Sequence, residues 1–127
     1  MKKVISIVLR LVAAVIMLQT LYFKFTGQPE SVYIFSQVGI EPWGRIGTGV
    51  AELVASILLL VPRTVAFGAL MAIGLMLGAI ATHLFILGIE VQGDGGQLFI
   101  YALIVLISSV ILLMIHPLFK RSPYASS

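Results

Sequence analysis

A single carboxylate, Glu52, stands in the middle of an apolar stretch long enough to cross a membrane. The stretch reads GRIGTGVAELVASILLLVP, and no other charged residue lies between Arg45 and Arg63. Ionisable groups at bilayer depth are costly, so they usually face a bundle interior or a water-filled path and mark function. Glu52 therefore predicts a site inside the membrane, where a carboxylate can pair with a cation, accept a hydrogen bond or exchange a proton.

Three further ionisable residues, Arg10, Lys24 and His83, fall on neighbouring apolar segments. The helical rise places Arg10 about 9 Å, Glu52 about 15 Å and His83 about 22 Å from the predicted cytoplasmic edge. We expect Arg10 to be the counter-ion of Glu52, His83 to titrate on the outer side, and Lys24 to guide anionic groups at the outer mouth. Two interpretations stay open: a structural Arg10–Glu52 pair, or a cluster that binds an anion, a quinone-like head group or a proton.

Small and polar residues surround this cluster at helical spacing. On the second apolar segment Thr48, Glu52 and Ser56 recur every four residues, so they share one helical face. On the third segment Gly74, Gly78 and Thr82 lie side by side and suit close helix contact. We predict that these small and polar residues support the ionisable cluster.

Several other chemistries are excluded. The chain has no cysteine, which excludes disulfides, thiolate catalysis and iron–sulfur ligation by its own residues. His83 and His116 differ by about 20 Å in depth, too far apart for one haem iron. No metal-ligand spacing and no nucleophile–base–orienter set is visible. The sequence therefore predicts no catalytic residue, no metal, no haem and no autonomous enzyme, and leaves open a subunit of an oxidoreductase complex.

The composition defines the elements that must position these residues. The chain has 127 residues, of which 60% are hydrophobic and 10% are charged, with a mean hydropathy of +1.13. Each of its four apolar runs is near the ~20 residues that a spanning helix needs. The alternating segments of a membrane β-barrel are absent. We predict a single all-α domain, a bundle of four transmembrane helices at about 4–24, 43–62, 64–88 and 97–116.

The connections predict the topology. Pro29-Glu30 opens a short amphipathic helix over about 29–38, which should lie at the outer interface, and Gly39 is a natural stop. The residues after 121 are predicted to be disordered. Basic residues gather on one side of the membrane, so the positive-inside bias puts both termini in the cytoplasm. The net charge of +3 therefore reflects topology and not nucleic-acid binding. The bundle could also pair into a homo-oligomer.

The segments LYFKFTGQPESVYIFSQVGIEPWGRIGTGVAELVASILLLVPRT and GALMAIGLMLGAIATHLF resemble the DoxX-like family of small four-helix membrane proteins. The similarity covers roughly residues 5 to 115. It consists of an early Arg in the first helix, a Lys that closes that helix, a Glu in AELV and a third helix ending in ATHLF. Family members often have a Gly three positions before the Lys, where this chain has Leu21. The resemblance implies that Arg10, Lys24, Glu52 and His83 form the family's polar cluster.

The resemblance implies an accessory subunit of a redox or envelope-stress system in the bacterial inner membrane, since founding members are associated with quinone-linked sulfur oxidation. Such a subunit would bind a quinone-like or lipid ligand, membrane lipids and a membrane oxidoreductase or other membrane protein. The first alternative is a proton-coupled transporter, which a paired Glu disfavours because a nearby cation stabilises the carboxylate. The second is an assembly factor or chaperone that uses the small-residue stripes as its contact surface.

Overall fold

The computed structural model describes residues 1–91 and 93–117, and every regular element in them is helical. The helices are α1 (Lys2–Phe25), α2 (Pro29–Val38), α3 (Trp43–Leu60), α4 (Val65–Thr82) and α5 (Gln97–Ile115). A 3-10 turn, Pro62–Thr64, joins α3 to α4, and a π-helical turn, His83–Leu87, continues α4. The all-α class, with four long apolar helices and one short helix, is confirmed. The predicted disordered tail, 121–127, lies outside the described residues.

The four long helices have the length and composition needed to span a membrane. Their outward sides are apolar: Val8, Ile57, Phe67 and Ile107 are each more than half exposed. A contiguous apolar surface of this kind is unfavourable in water, whereas in a bilayer it contacts the acyl chains. The chain is therefore an integral membrane protein.

The long helices form a ring in which α1 packs on α3 and α5, and α4 packs on the same two helices. α1 and α4 are consequently diagonal across the bundle. We call the end that carries α2 and the loop 88–96 the α2 end, and the end that carries the 3-10 turn the turn end. The α2 end is the predicted outer side.

Local sequence explains where α2 begins and ends and where α3 ends. Pro29 stands in the first turn of α2, where its missing N–H costs no hydrogen bond. Gly39 ends the helix at φ 86°, a left-handed conformation that glycine adopts without strain. At the other end of the bundle Pro62 stops α3, and the Thr64 hydroxyl donates to the Leu58 carbonyl oxygen at 2.8 Å.

The turn half of the bundle is closely packed around small residues. Gly68 of α4 lies so close to α3 that an added Cβ would be 2.7 Å from the Leu59 backbone nitrogen and 3.0 Å from the Ala55 carbonyl oxygen. Ala55, Leu59 and Ala69 are all fully buried in the same core. Close backbone approach through small residues is the usual way that membrane helices associate.

Candidate functional site

Glu52 pairs with Lys24 in the interior of the bundle. The Lys24 Nζ atom is 2.6 Å from Glu52 Oε1, and Glu52 is only 2% exposed. The Thr20 hydroxyl donates to Glu52 Oε2 at 2.9 Å. Oε1 is therefore paired with the Lys24 ammonium, and no second donor among the described residues hydrogen-bonds it. Because a carboxylate oxygen has two lone pairs, Oε1 can accept from one further donor.

Helical spacing places Thr20 and Lys24 together beside Glu52. Thr20 and Lys24 are one turn apart on α1, so both side chains project toward α3. The helix continues to Phe25, and the backbone carbonyl of Lys24 accepts a hydrogen bond from the Arg45 guanidinium. Arg45 Nε in turn donates to both carboxylate oxygens of Glu41, at 2.8 Å and 3.0 Å. This second ion pair fixes the end of α1 from which Lys24 reaches Glu52.

The ion pair borders a cavity of about 490 Å³ in the α2 half of the bundle. All five helices contribute to its wall, which is mostly apolar, and the π-helical turn closes part of it. Its polar lining includes Thr20, Lys24, Glu30, Thr48, Glu52, Thr82, His83, Gln97 and Tyr101. This combination of size, apolar wall and few polar groups is typical of sites for small organic ligands.

His83 faces the same cavity from the π-helical turn. Its Nδ1 atom is 3.0 Å from the Gly88 carbonyl oxygen, which can only accept, so Nδ1 carries a proton. The ring also packs edge-on against Phe99, with the ring centroids 5.6 Å apart. In the neutral tautomer Nε2 is then left as an acceptor. π-Helical turns are frequent at functional sites.

Arg10 is not the counter-ion of Glu52, so that sequence prediction is wrong. Its Nε atom donates to the Leu59 carbonyl oxygen at 2.6 Å and a terminal nitrogen donates to that of Leu60 at 2.8 Å. The last carbonyls of a helix lack partners within the helix, and a cation there is favoured by the helix dipole. Arg10 therefore caps the end of α3, and it does not line the cavity.

The neighbourhood of Arg10 forms a second polar cluster at the turn end. The Ser6 hydroxyl and His116 Nε2 are 2.7 Å apart and link the first turns of α1 to the end of α5. Burial lowers the pKa of His116, and the positive charge of Arg10 lowers it further. This cluster closes the bundle at the turn end.

The predicted supporting residues divide into those that line the cavity and one that does not. Thr48, Gly74, Gly78 and Thr82 line the cavity. Ser56 does not line the cavity, and its hydroxyl donates within α3 to the Glu52 carbonyl oxygen at 2.7 Å. The structure therefore brings Lys24, Glu52 and His83 to one cavity, together with most of the predicted stripe.

Sequence reasoning missed several polar residues of the cavity. Thr20 lies one turn before Lys24, and this spacing could have identified it as a partner of Glu52. Tyr101 stands in a mainly apolar helix, and its hydroxyl oxygen accepts a hydrogen bond from Gln97 at 2.9 Å. The free proton of that hydroxyl remains available to a ligand.

Glu30 and Asp94 are two of the carboxylates at the α2 end. Burial raises the pKa of Glu30, which lines the cavity, and the charge of Asp94 raises it further. Partial burial alone would raise the pKa of Asp94 as well. Three backbone N–H donors and the charge of His83 instead hold the pKa of Asp94 below its ordinary value. Asp94 thus orders the loop before α5, whereas Glu30 belongs to the cavity.

Fold and site together define a small helical membrane protein with a buried Lys–Glu pair beside an intramembrane cavity. The family model described as the DoxX-like family matches residues 8–112, most of the chain. The chain belongs to the DoxX-like family, as the sequence resemblance indicated. Comparisons with curated proteins and with solved structures found no significant match.

Proposed function

We propose that the chain binds a small amphipathic molecule with a quinone-like head group in this cavity, as an accessory subunit of a membrane redox system. The observation that carries the proposal is the Lys24–Glu52 pair, a buried carboxylate and its ammonium partner in the wall of a mostly apolar cavity. The cavity of about 490 Å³ lies within the 300–1,000 Å³ range that is typical of small-ligand sites.

The lining offers complementary groups for such a head group. Lys24 and the Tyr101 hydroxyl can donate to carbonyl oxygens, while Glu52 Oε1 and, when the ring is neutral, His83 Nε2 can accept from hydroxyl groups. A site with donors and acceptors in one apolar cavity suits a molecule that changes between carbonyl and hydroxyl forms. Such a molecule supplies two-electron, two-proton chemistry when it is bound. The residues of this chain would orient the bound molecule and accept hydrogen bonds from its hydroxyl groups.

The electrons must be supplied from outside the chain. Without cysteine the chain has no thiol redox couple of its own. We therefore infer that a membrane oxidoreductase is the partner, and that this protein positions the ligand for it. Inner-membrane localisation, with the α2 end outside, belongs to the same proposal. The proton-coupled transporter is disfavoured because the direct 2.6 Å pairing of Glu52 with Lys24 stabilises the carboxylate.

Native mass spectrometry after gentle-detergent purification tests the proposal. We expect the wild type to retain a stoichiometric small molecule and Glu52→Gln to lose it, because the charged acceptor is gone. Arg10→Met is the matched control, since it also removes an intramembrane charge, at a residue that does not line the cavity. The double variant Lys24→Met/Glu52→Gln removes both charges and shows whether loss of the ligand is separate from loss of folding. Equal retention in all four proteins would contradict the proposal.

A further inference from the structure

The cavity reaches the membrane-facing side of α4. Gly74 and Gly78 line it, and both are exposed. Their spacing along α4 places them on the same helical face as Phe67, whose exposed fraction is 58%. Because glycine has no side chain, the cavity wall is thin where it meets this outward face. We call this part of the wall, defined by Gly74 and Gly78, the glycine window.

The window has room for an additional group. A Cβ added at Gly74 or Gly78 would meet no atom within 4 Å. At Gly68 of the same helix an added Cβ would meet backbone atoms of α3 at 2.7 Å and 3.0 Å. Glycine at position 68 therefore permits close packing, whereas the two glycines of the window leave space beside the cavity.

The window lies at the depth of the ion pair. Glu52 is eight residues before Leu60, the last residue of α3, and Gly74 is nine residues after Val65, the first residue of α4. Because these two helix ends flank the same short turn, Glu52 and Gly74 lie at nearly the same height, and Gly78 lies about 6 Å nearer the α2 end. A molecule that leaves the cavity through the window enters the hydrocarbon layer and not the water.

We propose that the ligand is a lipid-like amphiphile whose head group lies against Lys24 and Glu52 and whose apolar chain leaves sideways through the glycine window. This inference rests on the proposed function and adds the apolar chain of the ligand, the path of that chain and the ligand's access from the membrane. Small glycines alone would not indicate a ligand, but the buried Glu52 carboxylate, whose Oε1 has only Lys24 as a donor among the described residues, borders the same cavity. The apolar chain of the ligand stays in an apolar medium along this path. A path at the α2 end, past Glu30 and Gln97, would expose it to water.

A photoreactive probe tests the path in phosphatidylcholine vesicles. The probe is a decyl-1,4-benzoquinone with a diazirine near the ring end of its alkyl chain. We expect cross-links that map by mass spectrometry to α4 around Gly74 and Gly78 and that disappear with excess unmodified decyl-benzoquinone. Gly78→Leu, which places a side chain in the window, should reduce these cross-links at least about fivefold because the added volume blocks the path.

Gly47→Leu is the matched control. Gly47 is also an exposed helical glycine with no atom within 4 Å of an added Cβ, but it does not line the cavity. This variant should cross-link as the wild type does. The thermal unfolding midpoint and the oligomeric state of each variant are measured on the same samples, so that misfolding is recognised.

The possible results separate this inference from the proposed function. Competable cross-links confined to α2 or the loop 88–96 would overturn the window and leave the binding site standing. The absence of any competable cross-link in the wild type, together with no retained molecule in native mass spectrometry, would overturn both. If Gly78→Leu dissociates a dimer and leaves the cross-links unchanged, the face is a contact between two copies, since small residues also permit close helix association. That result would also overturn the window.

Discussion

The glycines of α4 are used in opposite ways in the two halves of this bundle. In the turn half Gly68 brings α4 against the backbone of α3, and Ala55 and Ala69 fill the core beside it. In the α2 half Gly74 and Gly78 border a cavity, and a Cβ added at either glycine would meet no atom within 4 Å. The same residue type thus gives close packing in one half and open space in the other. The presence of glycine in a membrane helix does not by itself distinguish the two.

The ionisable residues differ between the halves as well. Arg10, in the turn half, has its donors directed at two carbonyl oxygens that end α3. In the α2 half the Lys24–Glu52 pair lines the cavity, and Glu52 Oε1 has no donor other than Lys24 among the described residues. A charge whose donors are directed at protein acceptors stabilises the fold, whereas one with spare capacity can serve a ligand. The following predictions test this difference, beginning with the largest expected effect.

The largest effect is expected from breaking the buried ion pair. Glu52→Gln should lower the free energy of unfolding by about 3 kcal/mol, because it leaves the Lys24 ammonium without a counter-ion. Lys24→Met/Glu52→Gln should recover much of this loss, since neither charge then remains. Reversible unfolding in mixed SDS and mild detergent measures both values. A double variant no more stable than Glu52→Gln would show that the pair is not the cause.

The next effect separates the two kinds of glycine. Gly68→Ala should cost about 1–3 kcal/mol, because the added methyl group would overlap backbone atoms of α3. Gly74→Ala should be neutral or stabilising by up to about 1 kcal/mol, since alanine is the better helix former and the space is open. The same unfolding experiment compares them. Equal destabilisation by both substitutions would remove the distinction between the halves.

Replacing the cap on α3 should have a smaller effect, confined to stability. Arg10→Met removes two hydrogen bonds to the Leu59 and Leu60 carbonyl oxygens, and we expect a loss of about 1–2 kcal/mol. Retention of the ligand should be unchanged, because Arg10 does not line the cavity. Native mass spectrometry of the folded fraction checks this. Loss of the ligand without loss of stability would show that Arg10 contributes to the binding site.

The smallest effect is a dependence on pH at the turn end. Because the pKa of His116 is lowered in the folded protein from its ordinary value of 6.5, the unfolded chain binds more protons in the interval below pH 6.5. Stability should therefore fall as the pH decreases from 6.5 to the folded-state pKa and then level off. His116→Gln should flatten this part of the profile of unfolding midpoint against pH. An unchanged slope in the variant would assign the dependence to another group.

Much of the fold could be predicted from the sequence because helix formation and membrane insertion depend on local composition. Apolar length indicated four spanning helices, and Pro29 and Gly39 indicated the short helix between the first two. Helical spacing also grouped Gly74, Gly78 and Thr82, which the structure finds on one cavity wall. Thr20 could have been included by the same reasoning, since it stands one turn from Lys24.

The partner of Glu52 was decided only by the tertiary structure. Depth along a helix follows from the rise per residue, and it made Arg10 the nearer candidate. The choice depends on how α1 is rotated and offset against α3, and on the free carbonyls at the end of α3 that Arg10 binds instead. Lys24 reaches Glu52 because its long apolar stem carries the ammonium inward.

The sequence by itself determined a helical membrane protein of the DoxX-like family with a carboxylate at mid-bilayer, because hydropathy and periodicity are properties of each segment alone. Only the tertiary structure decided that Lys24, Glu52 and His83 share a cavity while Arg10 caps a helix, and that two glycines of α4 border open space while a third is packed against α3. These features depend on the distances between helices, which no single segment encodes.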